Sequence, residues 1–350
     1  MADKRTIKRA LLGLKILVSA GLLTWVLSRS DLAVLWEEMR TADPLLMFFA
    51  ALTPFVGYGI TSTRWRGLLR VAGVRVGAWA LYRASLIAVF FNQFLPSTIG
   101  GDVARMYEAW KAGAPKPVAV SSLLVDRAIG TYALTLLASA SLPFILREHE
   151  LPPLLAVVVV ALTLAVTGAM AMVFLPFPWV LGLFRAVYAK LPGPFASIAG
   201  KLDRAFEGYR GNIGAFVRAL GWSLLLQLNV VLLHWLVAGA IGVDIGFSPF
   251  LFLVPVALIV MLIPVSINGI GIRESIFATL FLLYGVEKTQ AVAIALLVFS
   301  VFLLHGVFGG IAFAIRGPRA SGVGWEQDAS DTPAAAAEPD APVSVPSAHR

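Results

Sequence analysis

The chain has 350 residues, of which 59% are hydrophobic and 14% charged, whereas soluble domains run to about 25% charged. That composition excludes an ordinary soluble protein. Lys and Arg number 28 against 20 Asp and Glu, a balance of +8, and the basic residues flank long apolar runs. This placement favours lipid headgroups and membrane topology over a nucleic-acid face. With no cysteine, disulfides, thiolate catalysis and Cys-ligated metal are excluded. His149, His234, His305 and His349 show no metal-ligand spacing. We expect an all-α polytopic membrane protein without cofactor or metal.

Taken in chain order, residues 10–27 read as a first, uncleaved span behind the basic run Lys4, Arg5, Lys8 and Arg9. An acidic connection, 28–44, leads to a second span at 45–62. The next connection carries Arg64, Arg66, Arg70, Arg75 and Arg83 with no acid, so the positive-inside rule assigns it to the cytoplasm. Residues 79–95 are apolar, break at 96–102, and give way to a short amphipathic piece, 103–112. A long span at 118–146 contains Asp126 and Arg127. Beyond the small loop 147–152 lies a fully apolar span, 153–175.

The stretch 176–218 is polar and amphipathic, with six basic residues against two acidic, and is assigned to the cytoplasm. A span at 219–241 follows. Residues 247–263 then break at 264–271, and a short apolar piece, 272–284, ends at Gly285. The last span is 290–315. The tail 317–350, rich in Ala, Pro and acids, has too little to bury and is expected to be a disordered, dispensable, cytoplasmic segment.

The two breaks align without gaps: Leu95-Pro96-Ser97-Thr98-Ile99-Gly100-Gly101-Asp102-Val103-Ala104-Arg105 on Ile263-Pro264-Val265-Ser266-Ile267-Asn268-Gly269-Ile270-Gly271-Ile272-Arg273. Pro, Ile, Gly and Arg match. If each broken segment re-enters the side it came from, the basic stretches and both termini fall inside and the acidic 28–44 loop outside. Two short full crossings per segment satisfy the same parity. Either way the reading is an inverted repeat, 1–146 and 147–316, followed by the tail. Paired helix breaks in inverted repeats point to sites near the membrane midplane, because irregular backbone at that depth is tolerated only when buried in protein or lining a wet cavity.

Ionisable side chains inside spans are expensive and call for partners or water. The candidates are Asp102, Arg105, Asp126, Arg127, Arg273 and Glu274. Asp126 and Arg127 are adjacent on a helix and point about 100° apart, so each needs a partner elsewhere. They serve either as ion pairs holding the repeats together or as a headgroup site. Arg105 and Arg273, equivalent in the two repeats, are expected to face one cavity. Asn92 and Gln93 cap loose backbone or face that cavity, while Gly100, Gly101 and Gly269 permit close backbone approach and Asn268 sits in the second break. His234 and Gln227 suit interhelical hydrogen bonds, and Gly306 with Gly310 a packing face.

The run 91–102, the pair Asp126-Arg127 and the run 264–274 together resemble the lysylphosphatidylglycerol synthase transmembrane, or flippase-like, family, over about residues 8–316. The resemblance implies movement between leaflets of a lipid with an anionic or polar headgroup. It also implies membrane lipids as partners, with lipid- or glycan-synthesis enzymes as further ones. Bifunctional members carry a soluble aminoacyl-transfer domain, whereas this chain ends in the tail, so lysyl transfer is not expected. Two other readings stay open: an intramembrane lipid-phosphate transferase or phosphatase using Asp102 or Asp126, and an accessory subunit of a synthase.

Overall fold

The computed structural model describes residues 32–94, 99–148, 153–175, 206–262 and 271–315, together with Gly182 and Ala186. The expected first span, the tail, most of 176–205, and Asn268 and Gly269 in the second break lie outside the described residues. Among the described residues there is no strand, and five helices are long and apolar enough to cross a membrane. The protein is an all-α polytopic membrane protein.

The acidic connection is not a plain loop. It holds a short helix, α1 (Leu32–Arg40), and then Asp43, whose carboxylate accepts the Leu45 and Leu46 N–H groups at 2.7 and 3.1 Å. With Pro44 in the first turn, where no N–H is needed, this starts α2 (Pro44–Val71). The helix does not stop at Ser62 as the hydropathy predicts. Arg is a good helix former, and the Arg64 and Arg66 side chains find partners without breaking the ladder.

The first broken segment is α3 (Ala78–Phe94) and α4 (Ile99–Lys111). Gly100, Gly101 and Asp102, expected in the break, lie instead in the first turn of α4, where an acidic side chain suits the helix dipole. The chain continues through α5 (Lys116–Glu148) and α6 (Pro153–Phe174) to α7 (Ile213–Ala240). The Asn212 side chain accepts the Ala215 N–H at 3.0 Å, which starts α7 six residues before the predicted edge of the span and places Arg218 inside the helix.

The second broken segment is α8 (Phe247–Met261) and α9 (Ile272–Phe281), extended by a 3-10 turn, Leu282–Tyr284. α10 (Lys288–Ile315) closes the bundle. At 1.5 Å per residue even the 17 residues of α3 reach only about 25 Å, less than a hydrocarbon core of about 30 Å. The two segments therefore differ in kind from the five long helices.

The packing is reciprocal. α2 lies along α7, α3 packs on α10, and α8 packs on α5, so the first half of each broken segment rests on the last long helix of the other half of the chain. The Ser141 hydroxyl on α5 donates to the Leu251 carbonyl on α8 at 3.2 Å, and His305 Nε2 on α10 lies 2.9 Å from the Ala51 carbonyl on α2. Such bonds hold helices together where neighbouring lipid is as apolar as the side chains. The largest buried cluster joins α5, α7, α8, α9 and α10 through residues such as Phe250, Phe252, Phe277 and Phe281. α6 leaves Leu154, Val157, Val158 and Leu164 exposed, a surface suited to lipid tails.

Candidate functional site

The site is built on Asp126, one turn or so beyond the start of the buried part of α5 and only 1% exposed. Its Oδ1 accepts Arg64 Nε at 2.6 Å and its Oδ2 accepts Arg105 Nη2 at 3.1 Å. Both oxygens of one carboxylate are thus shared between α2 and α4, and both arginines are themselves buried. Arg64 Nη1 donates onward to the Ser223 hydroxyl on α7 at 2.7 Å. The Arg105 guanidinium lies 4.4 Å above the centre of the Trp65 ring, and Trp65 Nε1 donates to Ser122 at 3.0 Å. Four helices meet here around one anion and two cations, an arrangement that is stable at depth only because each charge has a partner.

Asp126 and Arg127 do not pair with each other, as their helical offset predicts. Arg127 Nη2 reaches Asp102 Oδ1 on α4 at 2.5 Å, with Arg127 47% exposed and Asp102 20%. The α4 and α5 helices are therefore clasped twice, once in the interior through Arg105 and Asp126 and once near the surface. Asn92 does the capping job: its Oδ1 accepts the Gly101 N–H at 3.0 Å across the break. A Cβ on Gly101 would sit 2.4 Å from that oxygen, so the glycine is required for α4 to come this close to α3. Gln93 is half-buried on α3, and Gly100 lies in the first turn of α4.

At the second break, Gly271 takes φ +82°, a left-handed conformation that suits glycine, and opens α9. The buried Glu274 carboxylate accepts the Gly271 N–H at 2.6 Å and so closes that helix end. Arg273 lies over the Phe299 ring at 5.1 Å. The two equivalent arginines thus have different surroundings, one held on a carboxylate and a Trp face, the other on a Phe of α10.

Sequence reasoning missed Arg64. It was counted with Arg66, Arg70 and Arg75 as a topology marker, because the apolar run ends at Ser62. The available signal was Asp126: a carboxylate inside a span demands a cation, and Arg64 follows the apolar part of α2 by two positions. His234 also departs from expectation, since Nδ1 lies 2.8 Å from Val230 O on its own helix and its interhelical contact is a ring stack on Phe277. Gln227 does bond between helices, to Gly130 O at 3.4 Å.

A multi-pass bundle with two interrupted segments and a buried charge cluster at one of them defines a membrane protein with a polar interior. The chain belongs to the lysylphosphatidylglycerol synthase transmembrane family, whose model matches residues 12–309. It is similar to a UPF0104 membrane protein of Methanothermobacter thermautotrophicus, 21% identical over 73% of this chain and 81% of that one. A UPF0104 membrane protein of Pyrococcus horikoshii is 23% identical over 78% of this chain and 88% of that one. The glycosyltransferase AglD of Haloferax volcanii is 26% identical over 85% of this chain but only 54% of that protein.

Proposed function

We propose that this protein moves a lipid, or a lipid-linked substrate, with an anionic or polar headgroup between the leaflets of the cytoplasmic membrane, with both termini in the cytoplasm. The observation that carries the reading is the Arg64–Asp126–Arg105 cluster, buried among spanning helices beside an interrupted one. Two guanidiniums around one carboxylate leave a net positive interior, which attracts an anionic headgroup while the acyl chains stay in lipid. Membership of a family named for a lipid synthase's membrane region supports a lipid substrate.

The transferase or phosphatase reading is weaker, because both Asp126 oxygens are already engaged by arginines and do not present a nucleophile. The accessory-subunit reading draws support from AglD, a named glycosyltransferase matched over only part of its length.

The test is transport in proteoliposomes, followed with a fluorescent anionic phospholipid bleached from one side. Wild-type protein should speed loss of the protected leaflet. Arg105→Lys, which keeps the charge and loses the fork, should be slower, and Arg105→Ala slower still. Vesicles with wild-type protein that behave like protein-free vesicles would sink the reading. A cysteine placed at Ala33 should be labelled by an impermeant maleimide in whole cells, as an outward-facing α1 requires.

A further inference from the structure

Arg64 has a second face. Besides holding Asp126, it lines a hollow of about 210 Å3 between α2 and α7, together with Arg66, Arg70, Arg218 and Trp222. Arg66 and Arg70 are one turn apart on α2, and Arg218 and Trp222 one turn apart on α7, so each helix contributes a matched pair at i and i+4. Ala215 and Ala219 form the inner wall on the α7 side, and Gly67 opens it on the α2 side. Among the described residues, none that lines it is a carboxylate. Arg66 and Arg70 also line an adjoining hollow of about 590 Å3 with Arg75.

Like charges converging on one hollow repel unless something anionic lies between them. Arg64 is neutralised from behind by Asp126, but Arg66, Arg70 and Arg218 face the hollow with no acid among the described residues that line it. Arg66 is fixed by its own Nε, which donates to Val76 O at 3.2 Å. The volume has room for several waters or one phosphate group. Guanidinium forks bind phosphate oxygens in pairs.

We propose that this hollow is a binding site for the phosphate of an anionic phospholipid. The lipid source is favoured over free phosphate by the flank of α7. Trp222 and Leu225 are exposed one and two turns beyond Arg218 on the same side of the helix, an apolar flank beside the arginines on which acyl chains can lie. Basic pockets between spanning helices are known to suit anionic headgroups. The site is tied to the first break, because an anion on Arg64 competes with Asp126, and Asp126 also holds Arg105 on α4. The headgroup therefore lands first on α2 and α7 and acts on Arg105 through Asp126, rather than sitting between Arg105 and Arg273 as the repeat suggests. This deepens the translocation reading and rests on it for the lipid's fate, though not for binding.

The test uses the full chain in detergent, titrated with phosphatidic acid, with phosphatidylcholine, and separately with inorganic phosphate, and read by native mass spectrometry. Two variants report on the site. Arg70→Gln with Arg218→Gln removes two exposed cations. Gly67→Leu fills the hollow from a helical position where an added Cβ meets nothing within 4 Å. Both should weaken phosphatidic acid at least about ten-fold and leave phosphatidylcholine adducts unchanged. Undiminished phosphatidic acid affinity in both variants would overturn the proposal. Arginine-dependent binding of inorganic phosphate without binding of phosphatidic acid would overturn the lipid assignment. The translocation reading fails separately: wild-type vesicles that move no lipid, with arginine-dependent binding intact, leave the site standing and remove its role in transport.

Discussion

Asp126→Asn is expected to cost about 3–5 kcal/mol of stability, because it leaves two buried guanidiniums facing each other without their shared anion. The substitution keeps the size and some hydrogen bonding, so the loss reports charge and not volume. The measurement is denaturant unfolding in detergent, with transport read on whatever fraction folds. Removing one of the two cations as well, in Asp126→Asn with Arg105→Gln, restores the original net charge of the cluster and should recover part of the loss. The outer clasp sets the scale. Arg127→Gln breaks a pair that is half exposed on the Arg side and should cost no more than about 1 kcal/mol. Equal effects at Asp126 and Arg127 would mean that the interior cluster is not buried as described.

Gly309→Ala should also destabilise, for a steric reason, though less than Asp126→Asn. A Cβ there would fall 2.2 Å from the Leu86 carbonyl oxygen and 3.1 Å from Phe90 Cβ on α3. The first is a backbone atom of a packed helix, so α3 and α10 must separate by roughly 1 Å to reach ordinary contact. Overpacking of this kind costs about 1–3 kcal/mol, against a gain of about 1 kcal/mol in helix propensity. Gly168→Ala on α6 is the control, since an added Cβ meets nothing within 4 Å there, and it should be neutral or slightly stabilising. Equal stability of the two variants would show that α3 and α10 do not pack this closely.

The long helices were legible because 18 or more apolar residues in a row allow few alternatives. Their ends were not. α2 outruns its apolar run by nine residues and α7 begins six residues early, since arginines at a membrane edge extend a helix that hydropathy has already ended. The need of Asp126 for a cation was readable, and Arg105 was among the candidates named for it. Arg64 was hidden by a rule that treats basic clusters as address labels, whereas the first member of this cluster faces inward. Glu274 was listed for the site on its charge alone, yet it closes the start of α9. Capping depends on where the backbone turns, and only the φ of Gly271 reveals that. The expected packing role of Gly310 holds, with Phe90 at 2.9 Å from an added Cβ, but its neighbour Gly309 makes the tighter contact.

The crossed packing bears on how the molecule is made. During synthesis α3 and α5 enter the membrane well before α10 and α8, the helices on which they rest, have been translated. Until then α3 has no α10 against its Leu86 carbonyl, and Ser141 has no Leu251 to bond. The early helices must wait, with groups such as the Ser141 hydroxyl bonded only to the Leu137 and Ala138 carbonyls of their own helix, and the core locks only when the last third of the chain arrives. Two separately expressed halves of the chain should accordingly be short-lived alone and persist when made together, each serving as the missing mould for the other.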